Sequence, residues 1–168
     1  MRTVTVALAL AMCLAAFPAA ADLRVRFIEG APKDRFVITN EARCAVLQSE
    51  FVVDLAGAAA GLIFDVTGEG AGVQVFQPFE LVAGAAALNG IPKVGDGDTR
   101  LSLSIRSLAP GAQIAFTIDV DDTLGPRGIT VSDAEIAGAT VRLVSRGVTR
   151  SGTFSPRSEA VVKTPACQ

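Results

Sequence analysis

The feature that most constrains this chain is an alternation of apolar and polar residues that returns in short runs along much of its length. In the run 114–120, apolar residues occupy every second position, and Thr117 and Asp119 lie between them. A period of two residues is typical of a β-strand that buries one face. The run therefore predicts a core strand with Thr117, Asp119 and Asp121 on its outer face. Further strand-like runs lie at 23–27, 36–38, 51–55, 61–66, 73–81, 101–105, 141–144 and 149–154.

The segments between these runs are rich in glycine, proline and aspartate, and only 83–88 has helical propensity. Many short strands separated by turns indicate an antiparallel sandwich or barrel. We predict an all-β, antiparallel, immunoglobulin-like β-sandwich of about 8–9 strands. The chain contains no tryptophan and no tyrosine, so the buried tryptophan and the tyrosine corner of antibody domains are absent. The expected likeness is therefore one of architecture.

The N-terminal segment 1–21 has the pattern of a secretory signal peptide. It contains the basic residue Arg2, an apolar run at 4–17 and a small-residue exit at 19–21 that matches an A-x-A cleavage site. We predict cleavage before Asp22, a single domain over 22–168, and export to the periplasm or the extracellular medium. No later run approaches the roughly 20 apolar residues that span a bilayer, so no membrane insertion is expected after the signal is removed.

The cysteines point to one disulfide. Cys13 lies in the apolar run, and Met12 stands where a lipoprotein cleavage site needs a small residue, which disfavours a lipid anchor. Cys44 and Cys167 remain in the exported chain, where disulfides form and persist, and we expect them to pair. In the chain-entropy model, closing a loop of this size contributes on the order of 4–5 kcal/mol. A redox or metal role would need neighbouring thiols or histidines, and the chain contains no histidine.

The charge of the chain argues against some partners. The formal net charge is −2, and removing Arg2 with the signal peptide lowers it by one, to −3. No basic cluster favours nucleic acid or an anionic membrane surface.

Acidic residues gather in turns, and two groups of them are candidate calcium ligands. Asp119 and Asp121 project from the same side of a strand end, and Ca²⁺ takes 6–8 oxygen ligands from carboxylates, backbone carbonyls and water. A second acidic turn would contribute if both turns met at one end of the sandwich, and Asp65 or Asp133 would be further members. No EF-hand pattern is present, and acidic turns also solubilise the end of a sandwich, so solvated carboxylates remain the alternative. The candidate ligands are Asp119, Asp121, Asp122, Asp96 and Asp98.

Two local patterns carry further expectations. The glycine-rich segment 67–72 precedes a strand-like run, whereas a nucleotide-binding loop precedes a helix, so a glycine-rich hairpin is predicted. Phe76 and Phe79 flank Pro78, which favours an edge strand. On such a strand one of the two phenylalanines would be exposed and mark an interaction patch.

The sequence predicts no enzyme. Without histidine, a serine or cysteine nucleophile lacks its usual base. The segment 122–125 departs from the Asp-Thr-Gly of aspartic proteases, because its glycine comes one residue late and no second copy exists. The enzymatic alternative that remains is a glycan hydrolase with two carboxylates across a cleft.

A resemblance to one family rests on four segments together: 27–36 (FIEGAPKDRF), 61–66 (GLIFDV), 75–80 (VFQPFE) and 118–123 (IDVDDT). On these segments, the chain is similar to the small secreted alphaproteobacterial proteins of the aggregation factor core family over nearly all of the mature chain. The resemblance implies adhesion or self-association and assigns no catalytic residue.

We therefore expect a secreted or periplasmic, non-catalytic binding or adhesion module, with calcium support and plain solvated carboxylates as the two alternatives for its acidic turns. Its partners would be a second copy of the chain, a cell-surface protein or a glycan. The alternatives are the carboxylate-based glycan hydrolase and a periplasmic accessory or inhibitor domain.

Overall fold

A computed structural model describes residues 22–70, 72, 76–124 and 130–164. Its strands pair antiparallel in two larger sheets and one small sheet, which confirms the predicted all-β sandwich. The predicted signal peptide 1–21 lies outside the described residues. Within the described ranges, no helix is both long and apolar enough to cross a membrane.

Eleven strands and one short 3₁₀ helix make up the described part of the chain. The five-stranded sheet has the order β11-β1-β2-β7-β5, the four-stranded sheet has the order β10-β9-β3-β6, and β4 pairs with β8. The bounds are β1 Asp22–Ile28, β2 Asp34–Asn40, β3 Val46–Asp54, β4 Leu62–Phe64, β5 Glu80–Ala83, the 3₁₀ helix Ala85–Ala87, β6 Arg100–Leu108, β7 Gln113–Ile118, β8 Val120–Asp122, β9 Thr140–Ser145, β10 Val148–Thr153 and β11 Glu159–Lys163.

The core lies between the two larger sheets and is built from the alternating apolar positions. Phenylalanine rings form its centre: the ring of Phe36 lies 5.1 Å from those of Phe27 and Phe116 and 6.4 Å from that of Phe154. Phe36 and Phe116 are fully buried, and each such side chain stabilises the fold by about 1.5–3 kcal/mol.

The two larger sheets approach each other along one side, where β10 runs beside β11. A Cβ atom at Gly152 would collide with the backbone carbonyl of Val161. Only glycine therefore allows this close approach of β10 to β11.

The two ends of the sandwich differ in the length of their connections. One end, which we call the turn pole, holds the short connections 41–45, 109–112 and 146–147. The opposite end, which we call the acidic pole, holds the short connections 29–33 and 154–158 and the described residues of the longer connections 65–79 and 123–139. Asp22 pairs with Lys163 at the turn pole. The aspartates at the acidic pole include Asp34, Asp65, Asp96, Asp98, Asp119, Asp121, Asp122 and Asp133.

The strand count exceeds the predicted 8–9 for two reasons. The run 114–120 does not form one strand, because β7 ends at Ile118, which pairs with the first residue of β2, Asp34. Beyond that point the chain leaves the large sheet, and β8 pairs with β4 instead. The second additional strand is β11, which the sequence analysis did not predict.

Candidate metal centre

Three aspartates from separate parts of the acidic pole come together. Asp65 follows β4, Asp119 lies between β7 and β8, and Asp121 lies within β8. Each has one carboxylate oxygen within 4.8 Å of an oxygen of the other two. Their exposed fractions are only 1%, 5% and 3%, respectively. The prediction that Asp119 and Asp121 face outward is wrong, because both side chains are buried.

The backbone explains why these residues meet. The pairing of Phe64 with Val120 aligns β4 with β8, and the N–H of Asp65 donates to the carbonyl of Asp119 at 3.1 Å. Gln77 extends this arrangement, because its N–H donates to the carbonyl of Asp65 at 3.3 Å and its carbonyl accepts from the N–H of Asp119 at 3.1 Å. Asp65 and Asp119 are therefore held side by side.

Several carboxylate oxygens at this site lack a hydrogen-bond donor. Among the described residues, neither oxygen of Asp65 accepts a hydrogen bond from a donor group, and Oδ2 of Asp119 does not accept one either. Burying an ionised carboxylate without a partner is strongly unfavourable. The site therefore attracts a proton or a cation.

The pKa values of Asp65 and Asp119 are both raised, as expected for crowded and buried carboxylates. Burial, followed by the neighbouring carboxylates of Asp96 and Asp121, raises the pKa of Asp65 to about 7. Burial, followed by the charge of Asp121, raises the pKa of Asp119 to about 7. Near neutral pH, each of these two groups is thus poised between its charged and its neutral form.

Asp34 is a buried acidic residue that the sequence analysis assigned to a turn. Its Oδ1 accepts the N–H of Gly30 at 3.0 Å, and its Oδ2 accepts the N–H of Val120 at 3.2 Å. Burial raises its pKa to about 8, although these two hydrogen bonds oppose the shift. The burial of Asp34 could be predicted from the sequence, because Asp34 lies two residues before the inward-facing Phe36 and therefore faces the same side of the strand.

The other predicted ligands have different surroundings. Oδ1 of Asp96 accepts the N–H groups of Val66 and Thr67, both at 2.9 Å, and these bonds lower the pKa of Asp96. Asp98 is exposed, and its Oδ2 accepts the N–H of Gly95 at 2.7 Å. Asp96 thus holds the start of the connection 65–79, and Asp98 holds the turn that precedes β6.

Asp122 is buried, yet it does not belong to the three-carboxylate group. Neighbouring residues of a strand point to opposite faces, so Asp122 projects away from the side of β8 that carries Asp121. The sequence grouped these two residues because they are adjacent.

The prediction of a glycine-rich hairpin at 67–72 is wrong, because the flanking strands β4 and β5 pair with β8 and β7 and not with each other. Glycines of this segment instead contact the acidic centre. A Cβ atom at Gly72 would overlap the carboxylates of Asp65 and Asp121, and one at Gly70 would overlap that of Asp96. Glycine is needed here because the backbone passes directly over the carboxylates.

The two phenylalanines of the predicted interaction patch differ in exposure. Phe76 is 41% exposed. Phe79 is half-buried, and its ring stacks on that of Phe116 at 5.0 Å. As Pro78 suggested, the following strand β5 lies at the edge of its sheet. Phe76 is therefore the exposed member of the pair.

The predicted disulfide stays a prediction because Cys167 lies outside the described residues. The connection that carries Cys44 begins at Glu41, whose N–H donates to the carbonyl of Asp22 at 3.0 Å. Asp22 in turn pairs with Lys163. Cys44 thus belongs to a connection at the turn pole, where β11 ends.

Comparisons with known proteins leave the family open. No protein-family model matches the chain, and no curated protein matches it. A family GH18 chitinase from Chromobacterium violaceum is similar in structure, with a TM-score of 0.38 and 14% identity. The likeness covers 81% of this chain and 19% of the chitinase chain, and at this TM-score it carries no functional argument.

Proposed function

We propose that this protein is an exported, non-catalytic binding or adhesion module that acts through the acidic pole. The observation that carries the proposal is the unequal length of the connections at the two ends of the sandwich. The connections 65–79 and 123–139 lie at the acidic pole, whereas the turn pole has short turns. Binding residues are disproportionately found on loops that a rigid scaffold positions, and loops longer than about 12–15 residues often carry function.

Exposed apolar side chains at the acidic pole support this proposal. Phe76 is 41% exposed and Leu124 is 63% exposed. Both lie in the long connections, and Leu124 is anchored there because its N–H donates to the carbonyl of Ala60 at 3.1 Å. Large apolar side chains in contact with water on such loops are natural contact points for a partner.

The arrangement of the carboxylates favours binding over glycan hydrolysis. A glycosidase separates its two carboxyl groups by roughly 6.5–9.5 Å when it inverts and by about 5–5.5 Å when it retains, across a cleft that admits the sugar. Here, one oxygen from each of Asp65, Asp119 and Asp121 lies within 4.8 Å of the others, and all three side chains are buried among the described residues. Carboxylates this deeply buried in the described part of the chain do not face a cleft for a sugar ring.

The proposed partners are a second copy of the chain, a cell-surface protein or a glycan. The resemblance to the aggregation factor core family supports self-association as the first to test. A bead assay tests it directly: beads coated with the mature chain are mixed, and clumping is followed by light scattering. The same beads are then incubated with bacterial cells, and attachment is counted.

The decisive variant is the double substitution Phe76→Ser/Leu124→Ser at the acidic pole. We expect it to reduce clumping or cell attachment at least about tenfold, since removing two apolar anchors costs more than about 1.4 kcal/mol. The matched control is Leu47→Ser/Val148→Ser at the turn pole, where the two residues are 49% and 48% exposed.

Equal loss in both variants would contradict a role for the acidic pole. Absence of clumping and of attachment for the unmodified chain would contradict the adhesion function itself. A stable one-to-one complex recovered from envelope extracts would instead favour the accessory or inhibitor domain.

A further inference from the structure

We propose that Asp65, Asp119 and Asp121 bind one Ca²⁺ ion, and that this ion holds the acidic pole together. The inference concerns the carboxylates inside the pole and does not depend on what the surface of the pole binds.

Asp65 is distant in sequence from Asp119 and Asp121, yet one carboxylate oxygen of each of the three residues lies within 4.8 Å of the others. Like charges at this separation repel each other, and a fold that brings them together needs a compensating interaction. A cation placed between them supplies it.

Oxygens of Asp65 and Asp119 lack a hydrogen-bond donor among the described groups. Asp65 is 1% exposed, and neither of its oxygens accepts a hydrogen bond from a donor group in the described part of the chain. Oδ2 of Asp119 has no hydrogen-bond partner there either. Buried charged groups are otherwise paired or coordinate a metal ion, so the lone pairs of Asp65 and Asp119 have the environment of metal ligands.

Two neighbouring aspartates, Asp34 and Asp98, differ from Asp65 because their carboxylates have hydrogen-bond donors or solvent. Both oxygens of Asp34 accept backbone N–H groups, from Gly30 and Val120. The carboxylate of Asp98 accepts the N–H of Gly95 and faces solvent. Asp65 has neither backbone donors nor solvent.

The donor chemistry selects the ion. Zinc prefers nitrogen and sulfur ligands, and the three residues offer only oxygen. Magnesium demands near-ideal octahedral geometry and is usually held by one or two carboxylates and several waters, whereas three carboxylates converge here. Calcium takes 6–8 oxygens in flexible geometry and accepts bidentate carboxylates. Three aspartates therefore supply between three and six of its ligands, and backbone carbonyls or water supply the rest.

The ion would join the connection 65–79 to the segment that links β7 to β8. Asp65 begins that connection, Asp119 lies between β7 and β8, and Asp121 lies within β8. Calcium binding is thus expected to stabilise the acidic pole as a unit.

The test begins with the mature chain, treated with EDTA and dialysed. Isothermal titration with CaCl₂ is expected to show one site, with a Kd of about 10⁻⁴–10⁻³ M or tighter, as in extracellular calcium modules. Calcium at about a hundred times Kd should raise the Tm by about 5–10 °C. Because the chain has no tryptophan or tyrosine, melting is followed by circular dichroism or calorimetry.

Asp65→Asn and Asp119→Asn distinguish a metal ligand from a merely structural residue. Each removes one negative charge and keeps the shape, so each should leave the Tm in EDTA unchanged or raise it, while abolishing the calcium-induced rise. A residue needed only for packing would lower the Tm under both conditions.

Asp98→Asn is the matched control and should keep the full calcium response. The proposal is overturned if the unmodified chain shows neither heat of binding nor a change in Tm at about 10 mM calcium, or if both asparagine variants retain the response. These measurements are independent of the bead assay, so the adhesion function and the calcium site are tested separately.

Discussion

Single aspartates at the acidic pole determine how the metal-free protein responds to pH. The pKa of Asp34 is about 8, and those of Asp65 and Asp119 are about 7, whereas an aspartate in the unfolded chain titrates near pH 3.9. Between about pH 4 and pH 8 the folded protein therefore binds more protons than the unfolded chain. The free energy of unfolding falls as the pH rises through this interval.

We therefore predict that the Tm in EDTA is higher at pH 5 than at pH 8. Asp34→Asn should make the dependence less steep, because the amide stays neutral at every pH. The measurement is a series of calorimetric melts in EDTA, with Glu69→Gln, at an exposed position of the same pole, as the control. A Tm that rises from pH 5 to pH 8 would contradict the burial of these carboxyl groups.

Gly72 carries a second prediction about a single residue. Its missing side chain leaves room for the carboxylates of Asp65 and Asp121, so Gly72→Ala should displace them and weaken calcium binding by about tenfold or more. Titration calorimetry measures the effect, and Glu69→Ala serves as the neighbouring control. An unchanged calcium affinity in Gly72→Ala would show that the segment lies farther from the ion.

Among the secondary-structure elements, the β9–β10 hairpin has an independent structural role. Arg146 and Gly147 both have positive φ, 50° and 76°, as a type I′ turn requires. Gly147→Ala should destabilise the protein by about 1 kcal/mol and lower the Tm by about 2–4 °C. Calcium affinity should not change, because this hairpin lies at the turn pole; a parallel loss of affinity would mean that the two poles are coupled.

The strands show which parts of the fold could be predicted from the sequence. Period-two alternation predicted β1, β2, β6 and β9, because local burial decides their pattern. It did not predict the end of β7 at Ile118, since that end depends on where its neighbour β2 begins. Strand pairing between distant segments leaves no local signal.

Some features of the acidic site could likewise be predicted from the sequence, and others depend on strand pairing. Asp119 and Asp121 were predicted as ligands from their spacing, but their burial follows from the pairing of β4 with β8. Asp65 was considered as a further member, and only the three-dimensional structure places it beside them. Asp34 alternates with the inward-facing Phe36, which indicates burial. The turn-like residues before Asp34 nevertheless favoured a solvent-exposed turn.

For the whole molecule, the disulfide between Cys44 and Cys167 remains the main prediction about stability. The mature protein should contain no free thiol in a colorimetric assay under denaturing conditions. Reduction should lower its stability by about 4–5 kcal/mol, visible as a drop in Tm of roughly 10 °C or more. Two titratable thiols in the untreated protein would contradict the pairing.

The pairing of Asp22 with Lys163 has a consequence for how the molecule presents itself. Asp22 and Lys163 lie side by side at the turn pole, opposite the acidic pole. A linker attached at either position would place the turn pole next to the support and leave the acidic pole facing away from it. For immobilisation on a surface, both positions are therefore equivalent attachment points, and a short linker between them would give a circular permutant with new ends at 146–147.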